Sequence, residues 1–358
     1  MNGLPIPHSN HKINNVTDAP AQPERTFAGL YLGVLILLTL IRLYTGAEWA
    51  AAITRIMVLG IPVLALGMLQ LREAYLLSVA LILAVLVWLS PGPGWDTIML
   101  GLERSAYLVS FMTLMALLRE GALHSPSVKT FGTYLTLQPP KRRFLALFGG
   151  GHLFSVLINI GALSLLTPFI QRGVRGDQPF DAPLSELQQI RERRQIAAIH
   201  RGFCWFLVWA PTAVTQAILP GMLPGIEASR LIPLGMLMAA IMLGVGWLED
   251  TLVWTSTAKR LRAAGQVQTN HENPFPDDAF RGLFAVCSAL FGLSLAAALL
   301  GGVTAVSGVM LAAPFVVIVW VAAQGAERGG GWTGGRLREI GFVSTPGLLR
   351  ELLFMACA

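Results

Sequence analysis

The residues of this chain best able to hold a solute lie at two places in otherwise apolar sequence. The first is Ile158-Asn159-Ile160-Gly161-Ala162-Leu163-Ser164, and the second is Trp209-Ala210-Pro211-Thr212-Ala213-Val214-Thr215. Asn159, Ser164, Thr212 and Thr215 offer side-chain ligands of modest strength. Gly161 and Pro211 mark places where a helix starts, because proline suits the first helical position, where its missing N–H is not needed. A helix N-terminus carries partial positive charge and free N–H groups that favour an anion, and a helix that stops just before it leaves free carbonyls suited to Na⁺. The chemistry this supports is reversible binding of a small ion or anionic solute.

Other candidates carry less. Glu103 and Arg104 fall inside an apolar stretch, where ionisable groups default to function or to mutual pairing; a structural pair or a coupling site is expected of them. His152 reads as a packing residue or a proton carrier. Cys204, Cys287 and Cys357 are widely spaced within apolar runs and read as small buried side chains, with no disulfide framework and no metal site. Gly329-Gly330-Gly331-Trp332-Thr333-Gly334 formally matches a dinucleotide-binding glycine pattern, but it follows an apolar helix rather than a strand. No HExxH, GxSxG or Walker A sequence is present, so the residues do not point to an enzyme.

The elements that must position the two sites follow from composition. The chain has 358 residues, 54% of them hydrophobic and 13% charged, with a mean hydropathy of +0.61. Soluble domains carry about 25% charged residues, so this is the composition of an all-α, polytopic membrane protein. The net charge of +6 gathers in loops and reads as topology and lipid contact, not as a nucleic-acid surface.

Residues 143–171 are apolar yet flanked by basic residues at both ends: Lys141, Arg142 and Arg143 before, Arg172 and Arg175 after. Positive charge collects on the cytoplasmic side, so both ends belong there. Two complete passes need about 40 apolar residues, more than are available. A re-entrant hairpin is expected instead, with arms of roughly 20 Å and a tip at residues 158–161 near the bilayer midplane. The later loops agree. With the hairpin, inside loops hold six Lys and Arg between 172 and 201, four between 255 and 281 and three between 325 and 345, against Arg230 alone outside.

The order along the chain is then a disordered cytoplasmic leader, 1–26; a first unit, 27–255; a cytoplasmic linker, 256–280; and a partial second unit, 281–358. About nine spans are expected, near 27–41, 50–71, 75–89, 97–118, 201–219, 231–248, 282–300, 303–324 and from 347 onward, besides the hairpin. The span at 201–219 is broken at 209–212. The segment 172–200, with a capping-box start at Ser185 and Gln188, is expected to lie as a helix on the inner membrane surface.

This layout resembles the ion transporter superfamily, which includes arsenite and sodium–proton antiporters and divalent-anion:sodium symporters. Its members have two inverted repeats, each with scaffold helices, a re-entrant hairpin and a broken helix whose tips meet at a central site. Residues 149–168 look like the first hairpin and 209–215 like the first broken helix. The resemblance implies that Asn159, Gly161 and Ser164 face Pro211, Thr212 and Thr215 across a binding site. The Ser-Asn-Thr signature of the dicarboxylate branch is absent, and the second repeat is incomplete, so the 358-residue chain alone is expected not to transport. The expected function is a secondary transporter of a small anion, or an ion exchanger, in a bacterial-type inner membrane with its N-terminus in the cytoplasm. Its partners would be the solute, the bilayer, a coupling Na⁺ or H⁺ and, in a homodimer, a second copy. The alternative is a non-transporting scaffold or assembly component whose interior polar residues only join helices.

Overall fold

The computed structural model describes residues 23–92, 94–159, 161–176, 178–179, 181–223, 228–263, 274–326, 330–341 and 349–357. The predicted leader falls outside them up to residue 22, as does the predicted linker between 264 and 273. Every regular element among the described residues is a helix. In chain order they are α1 (Pro23–Thr45), α2 (Glu48–Leu64), α3 (Leu71–Leu89), α4 (Gly94–Leu123), α5 (Pro126–Thr136), α6 (Pro140–Ile158) and α7 (Gly161–Arg175). They continue as α8 (Glu186–Phe206), α9 (Val214–Met222), α10 (Ala228–Ala263), α11 (Asp277–Gly301), α12 (Ala305–Ala326), α13 (Gly330–Glu339) and α14 (Leu349–Cys357).

Among the described residues six helices are long and apolar enough to cross a bilayer: α1, α3, α4, α10, α11 and α12. They carry large apolar side chains on their outer faces, such as Leu86 and Trp88 on α3 and Leu237 and Ile241 on α10. A contiguous surface of that kind is not kept in water, and the chain is a membrane protein. The other three predicted spans are shorter than expected. α2 stops at Leu64 with 17 residues, about 25 Å. The chain at 201–219 divides between α8 and α9, and α14 has nine residues.

The bundle is organised around α4, which packs against α1, α2, α3, α6, α9, α12 and α14. One face of it enters a core shared with α5–α8, α11 and α12, through Phe111, Leu114 and Leu118. The opposite face, through Ala106 and Val109, joins α1, α2 and α14 around Leu32, Leu35 and Ile61. The segments that begin and end the described chain therefore share one core with the middle.

Local sequence explains the helix starts around the candidate site. Pro126 and Pro140 occupy the first turns of α5 and α6, where no N–H is required. At α8 the Ser185 hydroxyl accepts from the Gln188 amide, 3.3 Å, while the Gln188 side chain accepts from the Ser185 amide, 2.9 Å. That is the capping box read from the sequence. The helix it starts does not stop at residue 200 on the membrane surface, however. α8 continues to Phe206 without interruption, because Ala197, Ala198 and Ile199 lead straight into the apolar run.

Candidate functional site

The chain from Pro140 to Arg175 forms two helices, α6 and α7, with a hinge at Asn159 between them. Asn159 has φ +48°, the one positive φ of a non-glycine residue among the described residues. Asparagine is the side chain most tolerant of such backbone, and conformations of this kind cluster where function demands them. The Asn159 amide donates to Ser155 O, 2.9 Å, and its carbonyl accepts from the Ala162 amide, 2.9 Å. One residue thus closes α6 and opens α7.

α7 runs back beside α8: Gln171 Nε2 donates to Glu192 Oε1 at 3.1 Å, and Gln188 Nε2 to Val174 O at 3.2 Å. α6 and α8 lie side by side in the same direction, since Arg143 at the base feels the charges of Arg191 and Arg194 while Val156 higher up packs on Phe206. Their approach is backbone to backbone. A Cβ on Gly151 would sit 3.1 Å from Ile199 O, and one on Gly202 would overlap Phe148 O. Gly150 is similarly closed by Leu135, whereas Gly149 has open space beside it.

The second element is the break between α8 and α9. Residues 207–213 leave the helix, which strands carbonyls that must be satisfied because lipid offers no donors. Two side chains from α9 do this: Thr215 Oγ1 donates to Leu207 O and Gln216 Nε2 to Val208 O, each at 2.8 Å. Pro211 is not the first residue of the second half, as expected, but lies buried in the break, with Ala213 preceding α9. Thr212 is 1% exposed and its hydroxyl has no hydrogen-bond partner among the described residues; Gln216, 2% exposed, keeps Oε1 free as well. Buried polar atoms are rarely left unpaired, so these two oxygens are the ones held in reserve.

The hinge and the residue that follows the break border one cavity. A cavity of about 410 Å³ is bounded by Ile158 and Asn159 of the hinge, Val214 at the start of α9, and Arg72, Arg119 and Glu351. Gly161, the first residue of α7, lies directly against Arg119, whose Cδ is 3.0 Å from where a Cβ at this position would stand, so a larger residue would have to push the arginine side chain aside. Arg119 sets its cation beside that helix N-terminus, and its Nε has no partner among the described residues. Its nearest carboxylate contact, Glu120, is at 3.8 Å. The cavity touches α4 over Met112–Arg119, not at its middle.

Of the residues predicted for the site, Asn159 alone lines the cavity; Gly161 lies against Arg119, and Pro211, Thr212 and Thr215 are not on the wall. The last three are in or beside the break, with Thr215 committed to the backbone. Ser164 is exposed on α7 and is not brought in. Glu103 does not pair with Arg104, which is exposed. Instead it holds Arg42, 2.8 Å, and Arg55, 2.9 Å, from α1 and α2. His152 Nε2 accepts from Trp209 Nε1 at 3.0 Å, and its ring stacks between Phe148 and Trp209. This joins the hairpin arm to the break and makes His152 a packing residue. Of the cysteines read as buried, Cys287 is, Cys357 is half-buried and Cys204 is exposed.

Sequence reasoning missed Arg72, Arg119, Gln216 and Glu351. A glutamine within the apolar run 203–219 was a usable signal, since a membrane-interior amide needs a partner. Nothing local marks the two arginines, which sit at helix ends that look like ordinary loop flanks. A second cavity, about 520 Å³, lies between α11 and α12 and is mostly aliphatic and aromatic, with no charged side chain on its wall. No family model, curated protein or solved structure matches this chain.

Proposed function

We propose that the chain is a secondary transporter of a small anion, or an ion exchanger, in a bacterial-type inner membrane. The observation that carries this is one cavity, edged by Arg72 and Arg119, whose wall includes both a helix hinge and the first residue after a helix break. Irregular backbone in a membrane protein needs water or protein to satisfy it, and discontinuous helices at a polar cavity are how many carriers hold their solute. In this reading α6 and α7 form a re-entrant hairpin entering from the cytoplasmic side, where the N-terminus also lies. An anion rests between Arg119 and the start of α7, and Na⁺ or H⁺ is the coupling ion. The likeness to the ion transporter superfamily belongs to this proposal, and the same layout supports it.

Binding by the detergent-purified chain tests the proposal without requiring transport. A ligand at one hundred times its dissociation constant stabilises by about 2.7 kcal/mol, enough to see in a melt. Small carboxylates and oxyanions other than phosphate, screened with and without Na⁺, are expected to include one that raises Tm in the wild type and fails to do so in Arg119→Gln. An equal rise in both proteins, or none with any anion, would remove the assignment. Cysteines at Arg142 and Gly176 are expected to react with an impermeant reagent from the same side; labelling from opposite sides would replace the hairpin by a single crossing.

A further inference from the structure

We propose that the base of the hairpin, far from the cavity at its tip, is a binding site for a phosphate group. Arg143, in the first turn of α6, is 5% exposed. Its Nε donates to Gln138 O at 2.8 Å, and its Nη1 has no partner among the described residues. It lies close enough to Arg191, Arg194 and Asp250 to feel the charge of each. Arg194 clasps Asp250 with two bonds, 2.8 and 2.6 Å, and its guanidinium sits 4.1 Å over the Trp254 ring. That arrangement uses Nε and Nη2 and leaves Nη1 unpaired; Arg191 Nε is unpaired and buried too.

Three guanidinium groups therefore gather where Arg194 alone holds a carboxylate and Arg143 feels its charge, and each keeps at least one buried nitrogen without an acceptor among the described residues. Withdrawing a cation from water without a counter-charge is strongly unfavourable, and burial pushes the pKa of Arg191 below its ordinary value. The missing component is an anion with several acceptor oxygens. Phosphate matches best, because its oxygens accept from several forked guanidinium groups at once. Arg191 and Arg194 are three apart on α8 and so share a face, with Arg143 meeting them from α6. A phosphate held there would pin the hairpin base to α8 and, through Asp250, to α10. The same chemistry is offered by a lipid headgroup and by a soluble phosphate.

The purified full chain in neutral detergent would be melted with inorganic phosphate against chloride at matched ionic strength. It would also be melted with phosphatidic acid against phosphatidylcholine at equal mole fraction. Phosphate or phosphatidic acid is expected to raise Tm, with an apparent affinity at least about tenfold weaker in Arg143→Gln, one lost charge-assisted contact. Arg142→Gln, an exposed neighbour, and Arg119→Gln, at the tip cavity, are expected to keep the full effect, which separates this site from the transport proposal. A response to inorganic phosphate alone assigns a soluble ligand, one to phosphatidic acid alone a headgroup, and one to both the phosphate group itself. Arg191→Gln provides the second variant if Arg143→Gln does not fold. No response to either ligand, or an equal response in the wild type and the variant, overturns the site.

Discussion

Two charge clusters in this protein look alike in composition and differ in closure. Between α1, α2 and α4, Glu103 is shared by Arg42 and Arg55, and Arg42 also reaches Glu48 at 2.7 Å. Two cations meet two carboxylates. At the start of α6 Arg143 gathers with Arg191 and Arg194, and among the described residues the carboxylate paired there is Asp250, held by Arg194. The first cluster balances its charges, even though Arg55 Nε is left without a partner among the described residues, and it acts as a clamp on three helices. The second is complete only with something added. Counting carboxylates against guanidinium groups, not unpaired nitrogens, separates a structural ion pair from a binding site where exposure and residue type do not.

Removing the carboxylate from each cluster tests that contrast most severely. Asp250→Asn would remove the carboxylate that Arg194 holds and Arg143 feels, leaving only an amide for the Arg194 fork. Breaking a buried pair costs about 3–5 kcal/mol, and a loss near the lower end is expected because both partners keep 13% side-chain exposure. Phosphate should restore part of it. Glu103→Gln strands Arg55 and leaves Arg42 its second partner. Since these side chains are about a quarter exposed, the expected loss is smaller, about 1–2 kcal/mol, and phosphate should not restore any of it. Denaturation of both variants with and without phosphate gives four numbers, and a common phosphate response would erase the distinction.

Arg143→Gln sharpens the contrast in the other direction. Deleting a cation from a cluster that lacks anions relieves repulsion, so in phosphate-free detergent the variant is expected to be within about 0.5 kcal/mol of the wild type, or more stable. The same substitution at Arg55, in the closed cluster, is expected to destabilise. If Arg143→Gln proves the more damaging of the two, the arginines at the base are structural and the anion is unnecessary.

How much of this could be read beforehand depended on whether the cause was local. The hinge was legible because basic residues flanking a short apolar run, with Asn159 and Gly161 inside it, are all within one segment. The break was legible from Pro211, and the start of α8 from Ser185 and Gln188. The partners of Glu103 were not, since Arg42 and Arg55 are brought to it only when α1 and α2 pack on α4. Arg104 seemed the natural partner because it is adjacent, yet neighbouring residues on a helix point to different sides. Ser164 failed for the same reason, its position on α7 being set by which face packs against α5 and α8. The tip cavity needed Arg72 from α3 and Glu351 from α14, and no periodicity joins those segments.

The contact between His152 and Trp209 offers the mildest test, because it also ties down α6, here to the break that follows α8, without any charge. Trp209 donates to His152 across 3.0 Å and stacks with it, and it stacks on Phe291 of α11 as well. Trp209→Phe keeps a ring in the stack and deletes the N–H donor. A net hydrogen bond is worth about 1 kcal/mol, and a loss of that order is expected, independent of phosphate and of ionic strength. A charged contact weakens as salt rises, whereas a neutral one does not. Melts of Trp209→Phe and Asp250→Asn across a salt series, each against the wild type, should therefore diverge. A Trp209→Phe penalty that shrank in salt would mean the break is held in place by the charges around it and not by the aromatic stack.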